Sequence, residues 1–260
     1  MKVVIVGSGN VAYHLVHVLV KTDAAIFIHA RNKTQLDLLR EAFPSIHILT
    51  STDLVELEPS LVMLCVKDDV LEEVFSSYTY ATSTLVAHTS GTQSIFSKGV
   101  HTHVGVCYPL QTFTKNQPVD WKRIPLLIES NTDKGIRTLE EFATYIEAPY
   151  FETNQAQRQA IHLTAVFTSN FTNHLIGKAD AYLEANAIDY HILQPLIEET
   201  IRKAFSNKPF EVQTGPASRN DVQTIQKHLQ LLQSDGVMKK IYVDITESIQ
   251  KTSNLDSNKY

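Results

Sequence analysis

The segment His162-Leu-Thr-Ala-Val-Phe-Thr-Ser169-Asn170-Phe-Thr-Asn173-His174 sets a histidine, hydroxyls and carboxamides into a largely apolar helical pattern. At about 100° per residue, His162, Ser169 and Asn173 fall within roughly 20° of one line, with Asn170 about 80° to one side. Such a seam could bind a substrate carboxylate and supply a proton, because an imidazole titrates close to neutral pH. The same side chains could equally satisfy one another, or a neighbouring helix, inside a bundle.

A second set of residues suits a different task. Lys2-Val-Val-Ile-Val-Gly7-Ser8-Gly9-Asn10-Val11-Ala12 is an apolar run followed at once by Gly-x-Gly-x-x-Ala. The run reads as a buried parallel strand, since both its faces are apolar and Val and Ile dominate. Gly7 would allow the tight turn out of the strand, Gly9 would let a pyrophosphate approach the backbone, and Ala12 would let the next helix pack closely. The amides that open that helix, from Asn10 and Val11 onward, could hold the phosphates. A dinucleotide site is expected here, against the alternative of a glycine turn that serves packing only.

The second strand, residues 25–29, ends in His29, Ala30, Arg31, Asn32 and Lys33, with no acid. An NAD-binding unit places Asp or Glu there to bond the ribose hydroxyls. Arg31 can instead pair bidentately with a ribose 2′-phosphate, with Asn32 beside it, so the expected cofactor is NADP(H). A solvated basic turn is the alternative.

Ligands of such sheets lie outside the carboxyl ends of the strands. Three further loops qualify: Val66-Lys67-Asp68-Asp69, Thr89-Ser90-Gly91-Thr92 and Tyr108-Pro109-Leu110-Gln111-Thr112. Val66, Lys67, Ser90 and Gly91 are expected on the cofactor, Lys67 as a phosphate or carboxylate contact or as an ordinary surface lysine. Pro109 and Gln111 are expected on the substrate. Farther on, Arg219 could hold a substrate carboxylate together with Asp221, or the two could pair only to fix the Gly215-Pro216 turn. His88, His101, His103 and Cys107 match no regular zinc spacing, and no metal is expected. Cys107 reads as buried rather than reactive.

Elements able to position these residues follow from periodicity. Strand and helix signals alternate to about residue 152: strands at 25–29, 46–49, 61–66, 84–88, 104–107, 124–129 and 150–151, with helices at 34–43, 68–78 and 133–146. Asp68 or Asp69 would cap the second of these helices. The pattern is that of a doubly wound α/β sheet. Beyond residue 154 strand signals fade and helices are expected at 155–187, 191–206 and 222–250, before a polar, frayed tail from Lys251. A boundary near 152 would separate an N-terminal sheet domain, residues 1–152, from an all-helical one, residues 153–260.

The chain has 260 residues, 43% of them hydrophobic, and a net charge of −5. That is enough for two cores, and it offers no basic face for nucleic acid or an anionic membrane. No apolar stretch approaches the roughly 20 residues of a bilayer span, and the first apolar run is too short for a signal peptide. Two cysteines, Cys65 and Cys107, exclude a disulfide scaffold and favour a cytoplasmic setting.

Taken together, the chain resembles the Rossmann-like NADP oxidoreductases that carry a C-terminal helical domain of unknown function. The resemblance rests on residues 7–12, Val86-Ala-His88-Thr-Ser90-Gly91, Tyr108-Pro109-Leu-Gln111-Thr112-Phe113, His162 with Ser169-Asn170, and Gly215-Pro216-Ala217-x-Arg219-x-Asp221. More broadly it is similar to the 6-phosphogluconate-dehydrogenase-like superfamily, which includes ketopantoate reductases, pyrroline-5-carboxylate reductases and deazaflavin-dependent NADP reductases. The resemblance implies a Rossmann domain followed by an all-α 6-phosphogluconate-dehydrogenase-like domain that often dimerises, with the active site in the cleft between them. Hydroxyacid dehydrogenases and ketopantoate reductases of that group use a lysine on the first long helix as general acid, followed one turn on by an asparagine. Here His162 stands at the lysine position, Val166 one turn on, and Asn170 after that. The expectation is a homodimeric NADPH-dependent reductase of a small carboxylate-bearing carbonyl or imine compound. His162 would be the acid, with Ser169, Asn170 and Asn173 orienting the substrate. 2-Ketopantoate is the first substrate to test and a cyclic imine such as pyrroline-5-carboxylate the second. A protein that binds NADP without turning it over is the rival from another class.

Overall fold

A computed structural model of the chain describes residues 1–96 and 103–257, with side chains described to residue 253. It divides into two compact units, Met1–Asn170 and Phe171–Tyr260.

The first unit is built on one eight-stranded sheet. Its strands are β1 (Lys2–Val6), β2 (Ala25–His29), β3 (His47–Ile48), β4 (Leu61–Leu64), β5 (Leu85–His88), β6 (Val104–Pro109), β7 (Leu126–Ser130) and β8 (Tyr150–Glu152), in the order β3-β2-β1-β4-β5-β6-β7-β8. Helices α1 (Asn10–Leu19), α2 (Lys33–Ala42), α3 (Leu71–Ser76) and α4 (Asp133–Tyr145) connect them. In β1, Val3 and Ile5 enter one apolar core while Val4 and Val6 enter the other, so the strand is buried on both faces. The strand order reverses between β1 and β4, and that switch point brings the glycine turn beside the ends of β4 and β5. This is the doubly wound α/β class that the alternation of elements predicts.

Two features differ from the sequence expectations. β7 pairs with β6 antiparallel, and β8 follows β7 in that reversed direction. The connection across residues 110–125 holds only a short 3-10 turn, Trp121–Arg123, and no crossover helix, so the chain returns directly beside β6. Residues 68–78 are not one capped helix. They form a 3-10 turn, Asp68–Val70, and then α3, with no side-chain cap at either start, because the Asp68 carboxylate is bonded to the hydroxyls of Ser90 and Thr92 instead.

After β8 come α5 (Gln155–Ala165) and a π-helical turn (Val166–Phe171), with α6 (Thr172–Glu184), α7 (Gln194–Ser206), α8 (Val222–Leu231) and α9 (Gly236–Ser257) in the second unit. Two single helices expected from periodicity are therefore divided, at the π turn and at residues 232–235. At the second break Asp235 accepts from the Met238 amide at 2.9 Å, starting a new helix ahead of Gly236. α9 also runs farther than expected, taking in the polar segment from Lys251 to Ser257. No helix among the described residues is long and apolar enough to cross a membrane.

Candidate active site

β1 delivers the chain into the glycine turn. Gly7 takes φ +125°, and a Cβ there would collide with the Cys65 carbonyl oxygen, so only glycine fits. A Cβ at Gly9 would meet nothing within 4 Å, which leaves the backbone open to a ligand. Gly9 is also the N-cap of α1 and offers no side chain to its amides. By contrast α2, α4, α5 and α8 are capped by Asn32, Thr132, Asn154 and Asp221. Uncapped amides, an open glycine and a fully buried Ala12 form a cradle suited to a pyrophosphate. Ser8 and Val11 are half-buried there, and the Asn10 side chain donates to Phe113 O at 2.7 Å.

At the end of β2, His29 Nδ1 is hydrogen bonded to Tyr78 Oη where a dinucleotide unit specific for NAD would carry an acid. Burial lowers the pKa of His29, so the imidazole brings no charge. Tyr78 is pushed up to about 12 by burial, opposed by the nearby Arg31 cation. Arg31 itself is exposed, and Asn32 caps α2 by accepting from Gln35 N at 3.0 Å.

A cavity of about 250 Å³ lies at the end of β6, lined by Tyr108, Gln111, His162, Ser169 and Asn170 among others. His162 and Tyr108 meet there, with Nδ1 and Oη 3.0 Å apart. Burial raises the pKa of Tyr108, so its hydroxyl keeps a proton to share with Nδ1. When the phenol donates, the imidazole carries its own proton on Nε2. Gly91 forms the floor beneath this pair, because a Cβ there would stand 2.6 Å from His162 Nδ1 and 3.1 Å from Tyr108 Cζ. The π turn brings Ser169 and Asn170 to the same cavity. Its wider i→i+5 winding turns the helix less per residue than the regular spacing assumes, which draws Asn170 in from its expected place to one side. Pro109 is buried as the last residue of β6 and does not line the cavity, whereas Gln111 does.

The helix that carries His162 is fastened to the sheet by polar bonds. Arg158, one turn before His162, is fully buried, pairs with Glu129 of β7, and donates to Gln93 O at 2.5 Å. Gln159 Nε2 donates to Thr92 O at 2.8 Å. The loop these bonds grip is itself braced. Ser90 and Thr92 hydroxyls donate to Asp68 Oδ2 at 2.8 and 2.7 Å, and His88 bonds Ser94 O through Nε2 at 3.0 Å while its Nδ1 accepts from Ser90 N at 3.2 Å. Burial drives His88 down to about 4, so it serves here as a neutral strut.

The other expected site residues are distributed as follows. Val66 is half-buried and Lys67 exposed after β4, and the buried Ser90 hydroxyl is committed to Asp68. Asn173, Arg219 and Asp221 belong to the second unit. The Asp221 carboxylate caps α8, accepting from the Thr224 amide at 3.1 Å and its hydroxyl at 2.8 Å, and those bonds hold its pKa below the usual carboxylate range. His101 lies outside the described residues. Among the described ones no group of three or more His, Cys, Asp or Glu is arranged to hold a metal. Cys65 and Cys107 are free and buried, and burial raises both thiols. Arg158 and Lys115 are residues that the sequence did not single out, and Tyr108 was named only as part of its loop with no role of its own. Their roles arise from contacts across 29, 107 and 54 positions respectively, which no local spacing displays.

Comparison with known proteins adds to this geometry. Residues 2–90 match the family model described as NADP oxidoreductase, coenzyme F420-dependent, and residues 124–249 match domain of unknown function DUF2520. A crystal structure from Bacteroides fragilis, described as an NADP oxidoreductase, is 31% identical, covers 96% of this chain and 98% of its own, and superposes with a TM-score of 0.86. At lower identity, where the likeness concerns the fold, stand 1-pyrroline-5-carboxylate reductase of Streptococcus pyogenes and a reductive aminase of Aspergillus terreus. The former is 14% identical, covering 98% of both chains at TM-score 0.61. The latter is 10% identical, covering 97% of this chain and 93% of its own at TM-score 0.75. No protein in the curated collection matches the chain.

Proposed function

The chain belongs to the family of NADP oxidoreductases that combine this Rossmann-like sheet with a DUF2520 helical region, and we propose that it reduces a small carbonyl or imine compound bearing a carboxylate. The observation that carries this reading is the His162–Tyr108 hydrogen bond over Gly91, set in a small polar cavity at the end of β6.

The residues present fit the cofactor. Residues 7–11 would take the pyrophosphate on open backbone and uncapped amides, and Arg31 with Asn32 would meet the 2′-phosphate. Val66, Lys67, Ser90 and Gly91 would border the nicotinamide half. NADPH, when bound, supplies a hydride. His162 in its imidazolium form would give the Nε2 proton to the alkoxide or amine that develops and end as the neutral Nδ1–H tautomer, with Tyr108 Oη accepting from Nδ1–H and so holding that tautomer. Ser169, Asn170 and Gln111 orient the substrate. Among the described residues no Lys or Arg lines the cavity, so hydroxyl and carboxamide donors would hold the carboxylate there. That lining treats 2-ketopantoate and a cyclic imine such as pyrroline-5-carboxylate alike, because both set a reducible double bond beside a carboxylate. At about 250 Å³ the cavity suits such compounds better than a deazaflavin. Asn173, Arg219 and Asp221 are assigned to the substrate side from the helical domain, residues 153–260, with residues 1–152 as the NADP-binding domain.

The second unit also points to a homodimer. Its buried hydrophobic residues among those described are Ala217 and Leu232, while Phe205 is 89% and Ile192 72% exposed. A helical unit of this size needs more core than that, and a second copy would supply it. Two free thiols suit a reducing cytoplasm.

The test is oxidation of NADPH against a panel of 2-oxo acids and imines, headed by these two substrates, with coenzyme F420 included. His162→Ala is expected to lower kcat about 10²–10⁴-fold with NADPH affinity retained, the range of a positioned acid. NADPH binding without turnover of any panel member, joined to unchanged ligand affinities in His162→Ala, would establish the non-catalytic alternative. Arg31→Ala should weaken NADPH more than NADH, and equal losses would remove the 2′-phosphate assignment. Sedimentation of the full chain should give twice the monomer mass, and a concentration-independent monomer would refute the dimer.

A further inference from the structure

Residues 113–116, which follow β6, form a strap across the first helix and the glycine turn. Asn10 Nδ2 donates to Phe113 O at 2.7 Å, His14 Nε2 bonds Thr114 O at 2.9 Å, and Tyr13 Oη donates to Asn116 Oδ1 at 3.2 Å. In the middle of the strap, Lys115 Nζ donates to Ser8 O at 3.1 Å and to Gln35 Oε1 at 2.5 Å. The ammonium therefore stands between the glycine turn and the first turn of α2.

Both acceptors are neutral, and Lys115 makes no ion pair with any described carboxylate. A half-buried ammonium without a counter-charge gains most from a nearby anion. In this fold the pyrophosphate belongs to the α1 amides, whereas the ribose 2′-position belongs to the end of β2 and the start of α2. Gln35 is in that start, three residues beyond the N-cap Asn32, and Arg31 immediately precedes the cap. We propose that Lys115 binds the adenosine 2′-phosphate of NADP(H), so that the strap supplies a second cation opposite Arg31 and makes the protein selective for the phosphorylated cofactor. Three bonds hold the strap on α1 without Lys115, so its charge is not required to keep the loop in place. The proposal rests on the NADP(H) assignment and not on which substrate is reduced.

The experiment is equilibrium titration of the full-length protein with NADPH and with NADH, followed by fluorescence at low and physiological salt. It compares wild type with Lys115→Gln and Lys115→Arg, and measures ligand-free melting temperatures alongside. Lys115→Gln should weaken NADPH by about ten- to a hundredfold, the range of one charge-assisted hydrogen bond, and NADH by less than about threefold. Its NADPH affinity should fall less steeply with salt, and Lys115→Arg should restore most of the loss. Unchanged NADPH affinity in Lys115→Gln would overturn the proposal. So would equal losses for the two nucleotides, which would place Lys115 on the pyrophosphate or, with a lowered melting temperature, make it a structural latch. Wild-type protein that binds neither nucleotide would instead fail the cofactor assignment itself.

Discussion

Gly91→Ala adds one methyl group at the point where the His162 ring rests on the sheet. Glycine at this position does not use a left-handed backbone, so alanine can adopt the same conformation and the effect is confined to contact. The new Cβ would lie 2.6 Å from His162 Nδ1 and 2.8 Å from Cγ. Reaching ordinary contact at 3.4 Å requires the ring to withdraw by about 0.8 Å. Tyr108 Cζ stands 3.1 Å from the same Cβ, so the methyl group crowds both partners and a shift of that size breaks the geometry of their 3.0 Å hydrogen bond. The lost bond costs about 0.5–1.5 kcal/mol and the overpacking about 1–3 kcal/mol, so stability should fall by roughly 1.5–4.5 kcal/mol. Misplacing a catalytic group by about 1 Å costs on the order of 10²-fold in rate, and NADPH affinity should change far less. Urea unfolding and turnover with the best panel substrate measure the two effects. The decisive comparison is a double-mutant cycle in which Gly91→Ala is repeated in the His162→Ala background, where the ring is absent. Its stability cost should shrink there to below about 1 kcal/mol, with Tyr108 Cζ the remaining neighbour. An undiminished cost would show that Gly91 is not the floor of His162 and would refute the positioning scheme.

Removing the cation of the buried pair, by Arg158→Met, should destabilise the protein by about 3–5 kcal/mol because Glu129 is left without its partner. Urea unfolding should show the double variant Arg158→Met/Glu129→Leu recovering most of that loss, and no recovery would mean that packing rather than charge is at stake. His88 predicts a pH dependence. Its folded pKa near 4 lies below the 6.5 of the unfolded chain, so between those values the unfolded state binds the extra proton and stability rises with pH. The contribution is complete above pH 6.5, and acidification toward pH 4 removes about 3 kcal/mol. Unfolding free energies measured across pH 4–7 should show this slope in wild type and a shallower one in His88→Gln. Phe205→Glu, placing a charge on the most exposed phenylalanine of the helical unit, should shift the protein toward monomer in sedimentation without changing NADPH affinity.

What could be read in the sequence was set by distance along the chain. The glycine turn, its strand and its helix lie within some twenty residues, and their backbone requirements translate directly into residue types. The alternation of elements gave the sheet, but apolar runs carry no strand direction. The reversal at β7 could still have been inferred from residues 110–125, which are too rich in proline and polar residues to form the crossover helix that a parallel return needs. His162, Ser169 and Asn170 were visible as a polar seam. The π turn that gathers them was not, because regular periodicity assumes a constant turn angle. Asp68 looked like a helix cap for the same local reason, while its hydroxyl partners stand 22 and 24 residues away.

Arg158 shows why the remainder was hidden. In sequence it is an ordinary polar residue on the first turn of a helix, and charged residues are almost never fully buried unless they are paired. Its burial depends on Glu129 arriving on β7, 29 residues earlier in the chain, and on a carbonyl at Gln93. Through these bonds, and through Asp68 with Ser90 and Thr92, the loop ending β5 is tied to β4, β7 and α5 at once. His162 and the glycine floor beneath it are thereby fixed to the same strand ends that would carry the nicotinamide, all within Met1–Asn170. Under the proposed function, a proton donor mounted on the sheet that would carry the cofactor stays in register with the hydride whatever substrate is admitted. This accounts for a site whose chemistry is more legible than its specificity.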